Sequence, residues 1–223
     1  MQTVPSILEK NPQDLFYQIN KLSPYFKRFQ IDIADGILVP NKTVQIEEIM
    51  KHVTCNIKHI TFDFHLMVKD YQTEIEKLLA LRSFSEGGKK IIKINYIFIH
   101  FDLLPNYQLL TTNYSLPIGL TLNPQDQVDD LARQYNLKEI PFIQIMSVVP
   151  GVQGNPFIPD VLNKIEQLRG IGYGKEIFLD GAVNEKTIPV ILAKKYQPDF
   201  ICPGSFLTKT KSLEKNIEYL NKL

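Results

Sequence analysis

At 223 residues, 44% of them apolar and 22% charged, the chain has the size and composition of one globular domain able to bury a large core. Its formal net charge of +1 gives no electrostatic footing for nucleic acid or an anionic membrane surface. No apolar run reaches the ~18 residues of a membrane span, and Met1–Pro5 lacks the basic start and apolar stretch of a signal peptide, so cytoplasmic residence is expected.

Short apolar runs alternate with amphipathic stretches along the chain, the mark of strand–helix units in a parallel sheet. The run at Thr3–Leu8 is followed by Asp14–Leu22, with Leu15, Ile19 and Leu22 on one helical face. Arg28–Ala34 precedes Val44–Val53, and His59–Val68 precedes Tyr71–Leu81. Ser85–Lys90 reads as a loop leading to a fourth strand at Ile94–Phe101. Asn106–Ser115 is too polar and irregular to assign. Next come Leu116–Leu122 with Gln125–Tyr135, Pro141–Val149 with Ile158–Arg169, and Glu176–Val183 with Glu185–Tyr196. Asp199–Phe206 and Ser212–Leu223 close the series, with Ser212 read as a helix N-cap.

Several of the strands are apolar almost throughout, as strands buried on both faces are. Eight such units with no linker between them predict a single (β/α)8 TIM barrel spanning residues 1–223, although alternation alone also allows an open doubly wound sheet. Cys55 and Cys202 are too few for a disulfide framework and read as small apolar fillers.

In such a barrel the site lies at the C-terminal ends of the strands. Side chains repeat every two residues in a strand, so Gln30, Asp32 and Ala34 share a face. If that face looks inward, Asp32, His65 and Asp180 converge from three strands. A carboxylate among Phe29, Ile31 and Ile33 is costly unless paired, hydrogen-bonded or metal-bound, so Asp32 points to function. Gly181 and Gly204 follow the last two strands, where barrels often hold phosphate on backbone N–H groups; the loop Pro150–Gly154 could close over the same anion. His100, also at a strand end, reads as a structural histidine, and Met67 and Met146 as apolar filler or wall.

The order and spacing of these pieces resemble the ribulose-phosphate 3-epimerases over nearly the whole chain. Pro5-Ser6-Ile7-Leu8 is similar to that family's opening strand, Asp32-Ile33-Ala34-Asp35-Gly36-Ile37-Leu38-Val39-Pro40-Asn41 to its D-x-M-D-G-x-F-V-P-N motif, and Asp63-Phe64-His65-Leu66-Met67-Val68 to D-x-H-L-M-V. Met146 through Gly154 resembles M-T-V-x-P-G-F-G-G, Asp180-Gly181-Ala182 resembles D-G-G, and Gly204-Ser205 matches G-S.

The resemblance implies a ribulose-phosphate-binding barrel that inverts C3 of a ketopentose 5-phosphate. Asp32 and Asp180 are its implied base and acid, and Ser6 and His65 its substrate contacts. Gly151, Gly154, Gly181, Ala182, Gly204 and Ser205 are its implied phosphate cradle. It also implies a divalent metal (zinc, iron, manganese or magnesium) on Asp32, His65 and Asp180, and a phosphosugar as partner, with no nucleic acid or membrane. The family's fourth ligand is a histidine, and this chain has Gln30 there, whose amide oxygen is a weaker, neutral donor better suited to harder cations. Val152, Gln153 and Ala182 depart from the family's glycine-rich loops. Two alternatives therefore stay open: a phosphosugar-binding or regulatory barrel without turnover, and an epimerase acting on another sugar phosphate. A homo-oligomer is the common state of such enzymes, but the sequence identifies no interface.

Overall fold

The computed structural model describes residues 1–52, 59–83, 85, 86, 89, 90 and 92–223. Val53 and Cys55 lie outside them. The barrel strands form one sheet, entirely parallel, in the order expected of a barrel: Gln2–Thr3 and Ser6–Ile7, then Arg28–Ala34, Thr61–Met67, Lys93–His100, Ile118–Leu122, Phe142–Met146, Glu176–Asp180 and Phe200–Cys202. The first strand is in two pieces because Pro5 has no N–H to give to a ladder. Its first piece pairs with the eighth strand and its second with the second strand, and the chain bridges the gap through Val4 N–H to Ile201 O (3.0 Å) and Gln30 N–H to Pro5 O (2.9 Å). That shared strand closes the sheet on itself and removes the open alternative.

Alternation along each strand sorts the side chains. Phe29, Ile31, Ile33, Phe64, Leu66, Ile97, Ile143 and Leu179 point outward and pack in the shell between barrel and helices. Phe98, Phe142, Phe178 and Phe200 point inward with Val4 and Cys202 and fill the barrel as a separate aromatic layer. Phe98 and Phe178 meet edge to face at 5.0 Å between centroids, and Gly119 leaves the room that Phe142 takes, since a Cβ there would sit 2.2 Å from its ring. Below that layer, at the N-terminal mouth, Arg28 Nε donates to the fully buried Asp63 carboxylate at 2.7 Å, and its guanidinium lies 4.6 Å over the ring of Tyr96. A packed floor of this kind leaves the C-terminal mouth as the open end.

The helices are shorter than their sequence patterns at several places. Pro12–Leu22 begins two residues before the expected Asp14, because Asn11 caps it by accepting from Asp14 N–H and Pro12 takes the first turn. Ile46–His52 and Tyr71–Ser83 follow their patterns closely. Val128–Gln134 and Asn163–Gly170 start later than expected, the latter after a 3-10 turn at Pro159–Leu162. Glu185–Tyr196 yields only Ile188–Leu192. The unassigned stretch holds a helix at Tyr107–Asn113, capped by Asn106.

Ser85–Glu86 and Lys89–Lys90, expected as loop, form a short antiparallel pair. Ser212 does precede the last helix, Leu213–Leu220, but its side chain makes no capping bond. The expected strand at Asp199–Phe206 ends at Cys202, because Ser205–Thr208 turns into a helix. No helix among the described residues is long and apolar enough to cross a membrane.

Candidate active site

Gln30, Asp32, His65 and Asp180 all point into the barrel from the upper ends of their strands, and all four are buried. Asp32 and His65 are register partners on the second and third strands, while Asp180 pairs with Met146 and Cys202 on either side of the seventh. One group ties them together. The Gln30 amide donates through Nε2 to Asp32 Oδ1 at 2.8 Å and to Asp180 Oδ2 at 2.7 Å, spending both its N–H bonds on the two carboxylates. His65 Nδ1 faces the same oxygens at 3.3 Å and 3.6 Å. Gln144 Nε2 adds a longer contact to Asp180 at 3.3 Å.

The electrostatics follow from this crowding. Burial, and then the neighbouring Asp32 charge, push Asp180 up to about 7, against the pull of His65 and Gln30 in the other direction. Asp180 therefore holds a proton for part of the time at neutral pH, as an acid–base group must.

Local turns fix the strand ends. Asp35, the second acid of its motif, stands outside the cluster. Its Oδ1 accepts from Ile37 and Leu38 N–H and its Oδ2 from Lys69 N–H, so it staples the loop after the second strand to that after the third. Partial burial raises its pKa, but these backbone donors outweigh that and hold it below the ordinary carboxylate range. Ser147 donates to the carbonyls of Asp180 (3.0 Å) and Gly181 (2.6 Å), anchoring the end of the seventh strand.

The cleft above the cluster is lined by the residues that the resemblance assigns to catalysis and phosphate, with Asp32, His65 and Asp180 at its floor, Ser6 at its side and three loops around it, while Gln30 lies beneath the lining. Gly151 and Gly154 lie in one loop, Gly181 and Ala182 in the second, Gly204 and Ser205 in the third. Gly181 has φ +111°, and a Cβ there would meet Val148 at 2.6 Å, so both backbone and space require glycine. Ala182 follows at φ +49°, a left-handed conformation that its Cβ disfavours. Met67 and Met146 form part of the wall.

The structure adds three side chains to the surroundings of the cluster, of which the sequence named His100 as a structural histidine and Gln153 as a departure from the family loop, but not Gln144. His100 is buried with its Nε2 2.9 Å from His65 Nε2, and burial followed by the nearby His65 drives its pKa well down. Gln144 reaches Asp180, which its alternation with Met146 on the sixth strand could have indicated. Gln153 projects both amide atoms into the cleft wall without a hydrogen-bond partner, close to Gly204.

Comparison with known proteins agrees with this geometry. The profile of the "Ribulose-phosphate 3 epimerase family" matches residues 2–207. The chain is 31% identical to a ribulose-phosphate 3-epimerase of Methanocaldococcus jannaschii over 87% of its own length and 81% of that protein's. It is 27% identical to one from Helicobacter pylori, over 100% and 98% of the two chains. Among solved structures, 3-hexulose-6-phosphate synthase from Salmonella typhimurium superposes with a TM-score of 0.67 at 10% identity, covering 100% of this chain and 97% of that one, a likeness of fold.

Proposed function

The chain belongs to the ribulose-phosphate 3-epimerase family, an isomerase family, and from that membership we propose that it interconverts D-ribulose 5-phosphate and D-xylulose 5-phosphate by inverting C3. The observation that carries the reading is the pair of buried carboxylates, Asp32 and Asp180, held by one amide at the floor of a cleft walled by glycine-rich loops.

The chemistry needs a base on one face of C3 and an acid on the other. Asp32 takes the C3 proton, and Asp180 returns its own proton to the opposite face. Asp32 then carries the proton and Asp180 the charge, which is the starting state for the reverse reaction. Raised to about 7, Asp180 can fill the donor role near neutral pH. His65 and Ser6, which line the same cleft, would contact the substrate oxygens beside C3. The three loops offer backbone N–H groups to the phosphate.

A divalent cation suits this donor set. Asp32, His65 and Asp180 each offer a ligand atom, all within 4.8 Å of one another, and the Gln30 Oε1 is buried with no partner. A half-turn of the Gln30 amide would present that oxygen as a fourth donor. A bound cation would supply positive charge against the negative charge that develops on the substrate as the C3 proton leaves. Three oxygens and one nitrogen favour a harder ion than the family's usual two imidazoles would. Gln30→His is therefore expected to raise zinc affinity by about 10–100-fold with little gain for manganese, measured by competition with a chromophoric chelator. Equal gains for both ions would remove the argument from donor hardness.

Gln153 supplies a donor that the glycine-rich family loops lack. Its Nε2 is buried beside the Gly204 loop, where a phosphate oxygen held by that loop would give it a partner. A hydrogen bond to a charged group contributes about 1.5–3 kcal/mol. Gln153→Ala should thus raise KM for the phosphosugar about 10–100-fold with kcat nearly unchanged, the pattern of lost uniform binding. A fall in kcat at constant KM would speak against this assignment.

The test of the whole reading is turnover of D-ribulose 5-phosphate in D2O followed by proton NMR. Epimerisation should deliver xylulose 5-phosphate carrying deuterium at C3. The alternative is a phosphosugar-binding barrel without turnover, favoured by one observation: Gln30 holds both carboxylates where the family has a metal-binding histidine. Saturable binding of the phosphosugar with no C3 exchange, with or without added Mn2+, would decide for it.

A further inference from the structure

Proton transfer at Asp32 and Asp180 leaves two features of the barrel interior without a role: the burial of His100 and the buried amide of Asn123 beside it. His100 ends the fourth strand two residues beyond Phe98, the register partner of His65, and it does not line the cleft. Its Nε2 nevertheless lies 2.9 Å from His65 Nε2, with the rings 5.0 Å apart and inclined by 19°. Asn123 stands just past the fifth strand, and its side chain is a hydrogen-bond partner of the His100 ring. Its Nδ2 donates to Asp102 at 3.1 Å, its backbone carbonyl accepts from the buried Lys164 at 2.6 Å, and its Oδ1 is buried. The asparagine is thus held from two sides with its acceptor committed to no group but His100.

Two ring nitrogens at 2.9 Å share one proton, so one must donate and the other accept. Two self-consistent arrangements follow. In the first, His65 carries its proton on Nδ1, toward the carboxylates, and accepts at Nε2 from His100. In the second, His65 turns the Nδ1 lone pair to the cleft and donates from Nε2, and His100 must move its own proton to Nδ1. Asn123 is the hydrogen-bond partner of the ring that accepts that proton. We propose that His100, backed by Asn123, is a positioning residue that sets the tautomer and ring plane of His65 and switches with it. The inference rests on the epimerase reading only for what the exposed lone pair serves, namely a divalent cation.

Nitrogen-15 NMR of the full-length protein labelled at histidine tests this without turnover. In the metal-free protein His65 is expected as the Nδ1–H form and His100 as the Nε2–H form. Saturating Zn2+ should convert both together, to Nε2–H and Nδ1–H. His100→Phe should weaken zinc binding about 10–100-fold and lower kcat with KM within about threefold, the size of loss expected when a ligand histidine loses its partner. His100→Gln, which keeps a donor and an acceptor, should recover part of both. Asn123→Leu should mimic His100→Phe and add nothing in its background, since the two act in series.

The relay is overturned if His65 changes form while His100 does not, if the metal-free His65 is not the Nδ1–H form, or if His100→Phe binds zinc within about twofold of the parent. Coupled tautomers in a protein that fails to epimerise would defeat the functional reading and leave the relay standing.

Discussion

Asp32→Asn and Asp180→Asn are each expected to lower kcat for C3 inversion by about 10³-fold or more while the barrel stays folded. A positioned acid or base is worth roughly 10²–10⁴-fold, and here no neighbouring carboxylate can stand in for either. Stability should hold or rise, because burial and the Asp32 charge together push Asp180 up, and removing either charge relieves that repulsion. The two variants should also differ from a simply broken site. With one carboxylate left, each should still wash C3 hydrogen out into D2O from a single epimer, without producing the other. Steady-state kinetics, exchange by NMR and thermal unfolding together check this. Retention of more than about a tenth of kcat in either variant would remove that aspartate from the proton path.

Arg28→Met should destabilise the fold by about 3–5 kcal/mol at pH 7.5, a large share of the ~5–15 kcal/mol typical of a domain. Methionine replaces the stem of Arg28 but neither its bond to Asp63 nor its stacking over Tyr96 and Phe200. Asp63 is then a buried carboxylate with, among the described residues, only Asn95 left as a side-chain partner. Burial pushes Asp63 up to about 6 even with Arg28 pulling it down, and without Arg28 it must go higher. A raised folded-state pKa means that the folded protein binds a proton the unfolded chain has already lost. The variant's deficit should therefore shrink as pH falls from 7.5 toward 5. Urea unfolding at the two pH values reads both parts, and adding Asp63→Leu should recover much of the loss at pH 7.5. A deficit under about 1 kcal/mol at pH 7.5, or one independent of pH, would show that the ion pair does not hold the floor of the barrel.

The strands were legible because a parallel barrel buries both of their faces, which leaves long apolar runs such as Arg28–Ala34 and Thr61–Met67. Their polar interruptions, Asp32, His65 and Asp180, were legible for the same reason: a titratable group is conspicuous in an apolar run. Tyr107–Asn113 was not legible, because so short a helix buries only Tyr107 and Leu110 and carries Gln108, Thr111 and Thr112 outside. Only the cap at Asn106 could have marked it. Pattern also overran at Glu185–Tyr196, where the turn held by Asn184 and Thr187 occupies the start of the expected helix.

By itself, then, the sequence determined the eight-unit alternation and which residues of each functional strand share a face, while the resemblance marked the loop residues around the cleft. Local periodicity carries that information, since each strand's alternation depends only on its own residues. The sequence also showed Gln30 and Ala182 as departures from the family pattern. It could not say what those departures do. Only the closed barrel, by bringing strands two and seven together across the first and eighth, let the Gln30 amide reach both Asp32 beside it and Asp180, 150 positions away in the chain. Only the path of the fourth strand beside the third placed His100 against His65, two residues past its register partner. Such contacts depend on strand tilt and side-chain direction between segments, and no pattern within a segment encodes them.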